Sequence, residues 1–197
     1  MKKLLFIAVL AVSALAVNAQ FGIKAGLNLA NLGGDDVDDE GKKALISIYG
    51  GFYYNIACGE TFSFQPELVY SGQGAKYEEM GYKAKLALGY LNLTPLCRFN
   101  TSSGFFVGAG PQFGFLLSAK AKADGEDDED IKDQLKGLDI AGAIAAGFEM
   151  ENGFGFYIRY NHGFTTIADE DDTKVFNRVF QIGLRYSFNK MNGNSKK

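Results

Sequence analysis

Residues 175–188 read VFNRVFQIGLRYSF, and the alternation in that stretch decides the fold. Side chains on a strand point to opposite faces in turn, so the segment divides into two sets. One set holds Phe176, Phe180, Ile182, Leu184, Tyr186 and Phe188; the other holds Asn177, Val179, Gln181, Gly183, Arg185 and Ser187. The large apolar set suits contact with lipid, and the small, polar and ionic set suits the inside of a closed barrel. A soluble lipid-carrying barrel would reverse the two, burying the apolar set and showing the polar one to water.

Seven more segments repeat the pattern, at residues 21–31, 46–57, 61–72, 86–99, 105–119, 138–149 and 153–164. Phe154, Phe156, Ile158 and Tyr160 stand against Gly155, Tyr157, Arg159 and Asn161. Phe62, Phe64, Leu68 and Tyr70 stand against Ser63, Gln65, Glu67 and Ser71. In residues 105–119 the smaller face carries Gly108, Gly110, Gln112, Gly114 and Ser118. The expected fold is all-β: one eight-stranded antiparallel up-and-down transmembrane β-barrel. Lys24, Glu67, Arg98, Asp139, Glu149, Arg159 and Arg185 all fall on the smaller face. An eight-stranded lumen has room for side chains and little else. Charges inside it must pair, because unpaired buried charge is costly. An ionic network along the axis is expected, read as interior filling before permeation. Pro95 and Pro111 lack an amide donor, so bulges are expected beside them.

The connections alternate in length. Cys58-Gly59-Glu60, residues 100–104 and Glu151-Asn152 are tight and turn-like, whereas residues 32–45, 73–85, 120–137 and 165–174 are long. Such segregation is expected when one rim of a barrel faces the periplasm and the other faces outside. Of the 23 acidic residues, sixteen lie in three long connections: Asp35, Asp36, Asp38, Asp39 and Glu40; Asp124, Glu126, Asp127, Asp128, Glu129, Asp130 and Asp133; Asp169, Glu170, Asp171 and Asp172. Blocks of like charge read as a solvated, mobile rim. Weak divalent-cation binding is the competing reading, since Ca²⁺ takes clustered carboxylates, but no loop has EF-hand spacing.

Lys2 and Lys3, the apolar run 4–17 and the small residues Val17 and Ala19 read as a cleavable export signal over residues 1–19. The barrel domain then spans 20–188, and 189–197 is a short polar periplasmic tail. Gln20, not Cys, follows the signal, so no lipid anchor is expected. The formal net charge of −3 becomes −5 without Lys2 and Lys3, which argues against nucleic-acid binding. Cys58 and Cys97 belong to the second and fourth segments, roughly 9–10 Å apart across two strand spacings, and read as free thiols.

Chemistry is sparse. His162 is the lone histidine, and nothing resembles a GxSxG nucleophile turn. A general base needs a partner within reach, which only a loop carboxylate such as Asp169 could supply. One His and two separated Cys make no zinc site. Gly108-Ala109-Gly110 precedes no helix, so nucleotide binding fails on context. No catalytic, cofactor or metal site is expected.

Residues 181–188 (QIGLRYSF) resemble the terminal-strand signal read by the barrel assembly machinery, with Gln181, Gly183, Tyr186 and Phe188 at its key positions. Here residues 189–197 follow the signal instead of closing the chain at it. Residues 21–28 (FGIKAGLN), 90–96 (YLNLTPL) and 106–111 (FVGAGP) resemble the small outer-membrane β-barrel domain family that includes the PorT-like proteins. That resemblance implies an OmpX/OmpA-type barrel in the outer membrane of a Gram-negative bacterium. It also implies outer-membrane lipid, lipopolysaccharide and the assembly machinery as partners of a monomer. Members of such a family serve varied roles. The expected function is a non-enzymatic scaffold presenting acidic loops, for adhesion or envelope integrity. The alternatives are a narrow porin-like channel for small solutes and a PorT-like accessory to protein secretion.

Overall fold

Eight long strands follow one another and close into a ring: β1 (Ala19–Gly33), β2 (Lys42–Ala57), β3 (Phe62–Glu79), β4 (Tyr82–Asn100), β5 (Phe105–Ala123), β7 (Leu138–Glu149), β8 (Phe154–Gly163) and β9 (Phe176–Ser187). A two-residue strand, β6 (Glu129–Asp130), joins β5 at Lys120 and Ala121, ahead of a 3₁₀ turn over Lys132–Gln134. This is a computed structural model, and it describes residues 19–37, 40–79, 81–124, 128–170 and 173–188. Most of the expected export signal, the polar tail, and Asp38, Asp39, Glu126, Asp127, Asp171 and Asp172 lie outside the described residues.

Every pairing is antiparallel, in the order β4-β3-β2-β1-β9-β8-β7-β5, and β4 pairs β5 to close the ring. Closure satisfies the backbone without an exposed edge, the condition for crossing hydrocarbon with strands. No described helix is long and apolar enough to cross a membrane. Tight turns at 58–61, 101–104 and 150–153 share one end of the barrel with Ala19 and Ser187, and the other connections share the opposite end. Outward-facing rings form a girdle at the turn end. Phe21 stacks on Phe52 and Phe188 at 5.8 and 5.7 Å, and Phe62 meets Phe99 at 5.5 Å. Ile182 (52 % exposed) and Leu184 (68 %) continue the apolar surface between the rims.

Three expectations need correction. Residues 73–85 are not a long loop: the β3–β4 ladder continues through Lys76↔Lys85 to Glu79↔Tyr82. The alternation persists there, but lysine replaces the apolar residue on the outer face, so the lipid-facing signature ends before the strands do. Ser118 faces out instead of in. Gly89 pairs Ser118 while Tyr90 pairs Leu116, so β5 carries one extra residue, and Ala119 turns inward beyond it. The bulges also avoid the prolines, falling at that site and between Ala44 and Tyr49 of β2. Pro66 opposes Pro95, and Pro111 opposes Gly142, in unbroken registers. The β4–β5 pairing lapses between Leu93↔Phe113 and Cys97↔Ala109, then resumes unshifted. Pro95 and Pro111 stand opposite each other in that gap, so one lapse accommodates both donorless residues.

Candidate functional site: the closed lumen

β1, β3, β4, β8 and β9 each aim a charged side chain at the axis. Glu67, 1 % exposed, sits at the centre. Its carboxylate accepts from Lys24 Nζ at 2.7 Å, from Arg159 Nη2 at 2.7 and 2.8 Å, and from Gln65 Nε2 at 2.6 Å. Gln65 Oε1 in turn accepts from Arg98 Nη1 and from Arg185 Nη2. Glu149 carries the chain toward the turn end, 3.5 Å from Arg98 and 3.3 Å from Arg185, and accepts from Ser187 Oγ at 2.8 Å. Four cations thus share two carboxylates. Ring faces hold the excess: Lys24 lies over Tyr157, Arg98 over Phe106, and Arg185 over Tyr53.

Six of the seven expected lumen charges therefore form one connected group. Asp139 does not join it. It lies toward the loop end, where Asn177 Nδ2 donates to it at 2.9 Å and Thr165 Oγ1 at 3.5 Å. The interior is also less uniformly small than its sequence suggests, because Tyr49, Tyr53, Tyr90, Phe106 and Leu96 are buried there. Glycines make the room. Gly26 opposes Gly183, and a Cβ on either would run into the Tyr49 hydroxyl. Two glycines on neighbouring strands, facing inward on a barrel, were the sequence signal for that ring.

Beside the ion group the cavity measures only about 10 Å³, room for a single water at most. Toward the turn end the lumen widens into a vestibule of about 840 Å³, floored by Arg98, Glu149 and Ser187. Toward the loop end an apolar cluster of Leu32, Ala75, Leu88, Tyr90, Leu116, Ala119 and Ile167 fills the bore. Ile167, 1 % exposed, comes from the β8–β9 connection, while Ile131 and Leu135 come from the β5–β7 connection. Described residues of the loops are tied to one another. Lys136 N donates to Ile167 O, Leu135 bridges Ala168, and Lys174 N donates to Asp36 Oδ2 at 2.6 Å. Ion pairs also offset part of the acidic charge, Lys174 with Asp35 and Lys122 with Asp128.

His162 lies between the rings of Tyr160 and Phe164, and its hydrogen bond is to Tyr160 OH. Among the described residues no carboxylate reaches it, and no group of three or more His, Cys, Asp or Glu could hold a metal ion. Cys58, just past the end of β2, and Cys97 are free. In β9, Gln181 and Gly183 face the lumen, with Gln181 Nε2 donating to Asn28 Oδ1 at 2.8 Å. Tyr186 and Phe188 face out and meet edge-to-face at 5.1 Å.

A model of the outer membrane protein β-barrel domain family matches residues 16–169, from β1 through β8. Two solved folds are similar at low identity. Neisserial surface protein A has a TM-score of 0.54 at 12 % identity, over 86 % of this chain and 99 % of its own. The attachment invasion locus protein of Yersinia pestis, in complex with the heparin analogue sucrose octasulfate, has a TM-score of 0.52 at 14 % identity, over 87 % of this chain and 99 % of its own. No curated protein matches by sequence.

Proposed function

The chain belongs to the outer membrane protein β-barrel domain family, and from that premise we propose that it is a non-conducting scaffold presenting its loop end at the cell surface. One observation carries this reading: the bore is filled twice, by the Glu67 ion group and by the apolar cluster around Ile167. A channel would need a continuous wet path, and both levels remove it. The mutual ties among the outer connections favour a defined surface for contact, in adhesion or in envelope integrity. Neisserial surface protein A and the attachment invasion locus protein offer fold-level company, which is not evidence of a shared role. The N-terminal export signal, the β9 residues Gln181, Gly183 and Tyr186, and Phe188 just past the strand would serve delivery and assembly.

Planar-bilayer recording on the folded protein tests the proposal. No steady conductance is expected. A conductance that Arg98→Ala or Arg159→Ala alters would overturn it in favour of a narrow solute channel. Deletion that stops protein secretion while leaving the envelope intact would instead assign the accessory role.

A further inference from the structure

Just inside the loop end, one buried carboxylate stands apart from the ion group. Asp139 is 2 % exposed, and its donors are neutral: Asn177 Nδ2 at 2.9 Å and Thr165 Oγ1 at 3.5 Å. Arg159 is too far to help, because its ladder partner Ala145 lies six residues down β7 from Asp139, roughly 20 Å along the strand. Among the described residues no cationic side chain pairs with Asp139. Oxygens without hydrogen-bond partners gather around it. Asn177 Oδ1, Asn92 Oδ1 and the Tyr90 hydroxyl all lack a partner, and their residues are no more than 2 % exposed. Tyr90 lies beside both Asn177 and Asp139. Asn92 and Asp139 flank Gly114 of β5, which pairs with each. A Cβ on Gly114 would fall 2.9 Å from Asn92 Oδ1 and 3.5 Å from Asp139 O, so the glycine leaves the space between them open.

We propose that this group binds one dehydrated monovalent cation, Na⁺, held by Asp139 together with Asn92, Asn177 and Tyr90. A buried carboxylate without a counterion is costly, and buried oxygens without partners add to that cost. Hard cations take carboxylate, amide and backbone oxygens together, so one ion answers both. Asn177 takes part by turning its amide, which brings the partnerless oxygen to the ion. The donor set selects the charge. One carboxylate balances one positive charge, and lower in the bore four cations already share two carboxylates. A divalent ion would add to that excess. Neutral oxygens about a single acid also suit an alkali cation better than a transition metal, which favours nitrogen or sulfur ligands. The site ties a loop to the wall as well. Thr165, in the β8–β9 connection, accepts from Ile140 N at 2.8 Å while donating to Asp139, so the bound ion tightens residues 164–175. The inference goes beyond the scaffold reading and does not depend on it.

The test uses the full mature protein folded in detergent micelles and unfolded by heat in NaCl, CaCl₂ or choline chloride at matched ionic strength. As Na⁺ replaces choline, the wild-type midpoint should rise with the logarithm of its concentration, as an ion bound only by the folded state requires. Residues 164–175 should resist proteolysis in NaCl and yield in choline chloride. Asp139→Asn keeps the size of the side chain and should abolish both responses. Asn92→Ala removes an oxygen that makes no hydrogen bond, so it should fold as wild type does, checked by its gel shift on boiling. It should need roughly tenfold more Na⁺ for the same midpoint, since affinity follows the ligand set. Equal wild-type midpoints in NaCl and choline chloride would mean that these oxygens meet only water or a proton, and would overturn the inference. A Na⁺ response that survives Asp139→Asn, or a response to CaCl₂ alone, would overturn it too. None of those results bears on conductance, so the scaffold reading stands or falls separately.

Discussion

Toward the turn end the lumen is filled by charge, with Lys24, Glu67, Arg98, Arg159, Arg185 and Glu149 supplied by strands. Toward the loop end it is filled by hydrocarbon, part of it from the connections that carry Ile131, Leu135 and Ile167. The difference follows from what each interaction demands. Charge-assisted hydrogen bonds are short and directional, so their members must sit on a backbone whose geometry is set by a ladder. Apolar burial is non-directional, and loops can supply it from many approaches. The rigid half of the bore therefore carries the chemistry that tolerates least movement.

The sharpest way to break that contrast is Glu67→Ala. It leaves Lys24 and Arg159 buried without their shared carboxylate, a loss of about 3–5 kcal/mol, read by denaturant unfolding in lipid vesicles. A change too small to measure would mean that the charges do not hold the bore. Ile182→Arg leaves the lumen intact and puts a cation on the lipid face, costing roughly 2–4 kcal/mol near the midplane. Unchanged insertion and unfolding would refute the assignment of faces. Ile167→Ala should cost less, about 2 kcal/mol, because a loop can settle into the space. Its mark should be local: faster proteolysis of residues 164–175, with conductance still absent. The smallest effect belongs to the exposed Glu78. Lys43 and Lys76 hold its carboxyl below its ordinary range, so its contribution is complete above that range and fades as pH falls through the lowered value. Glu78→Gln should leave global unfolding unchanged and raise amide exchange only at the β3–β4 tip. A global shift would show that this tip is coupled to the bore.

Much of the barrel was legible in the chain because a bilayer imposes polarity with period two. Residues 153–164 and 175–188 divide by eye into faces that the structure keeps, and the tight turns fall where Gly and Asn mark them. Legibility fails where the environment changes. Lys76 and Lys85 continue the strands past the membrane, and water no longer requires an apolar partner face, so the same alternation read as loop. One extra residue in β5 turned Ser118 outward, since a single-residue shift exchanges faces. The buried Tyr49 could be found only through the space left by Gly26 and Gly183 on other strands.

Composition and alternation by themselves determined that this chain closes into a lipid-facing barrel with its charges inward, because hydrocarbon and backbone hydrogen bonding admit little else. They could not determine which charge meets which. Glu67 and Arg159 are 92 residues apart, and their contact depends on strand tilt and register accumulated around the ring. Nor could they show that Ile167 turns inward. Those facts exist only once closure sets each strand's height against its neighbours, and one residue of stagger would have placed them elsewhere.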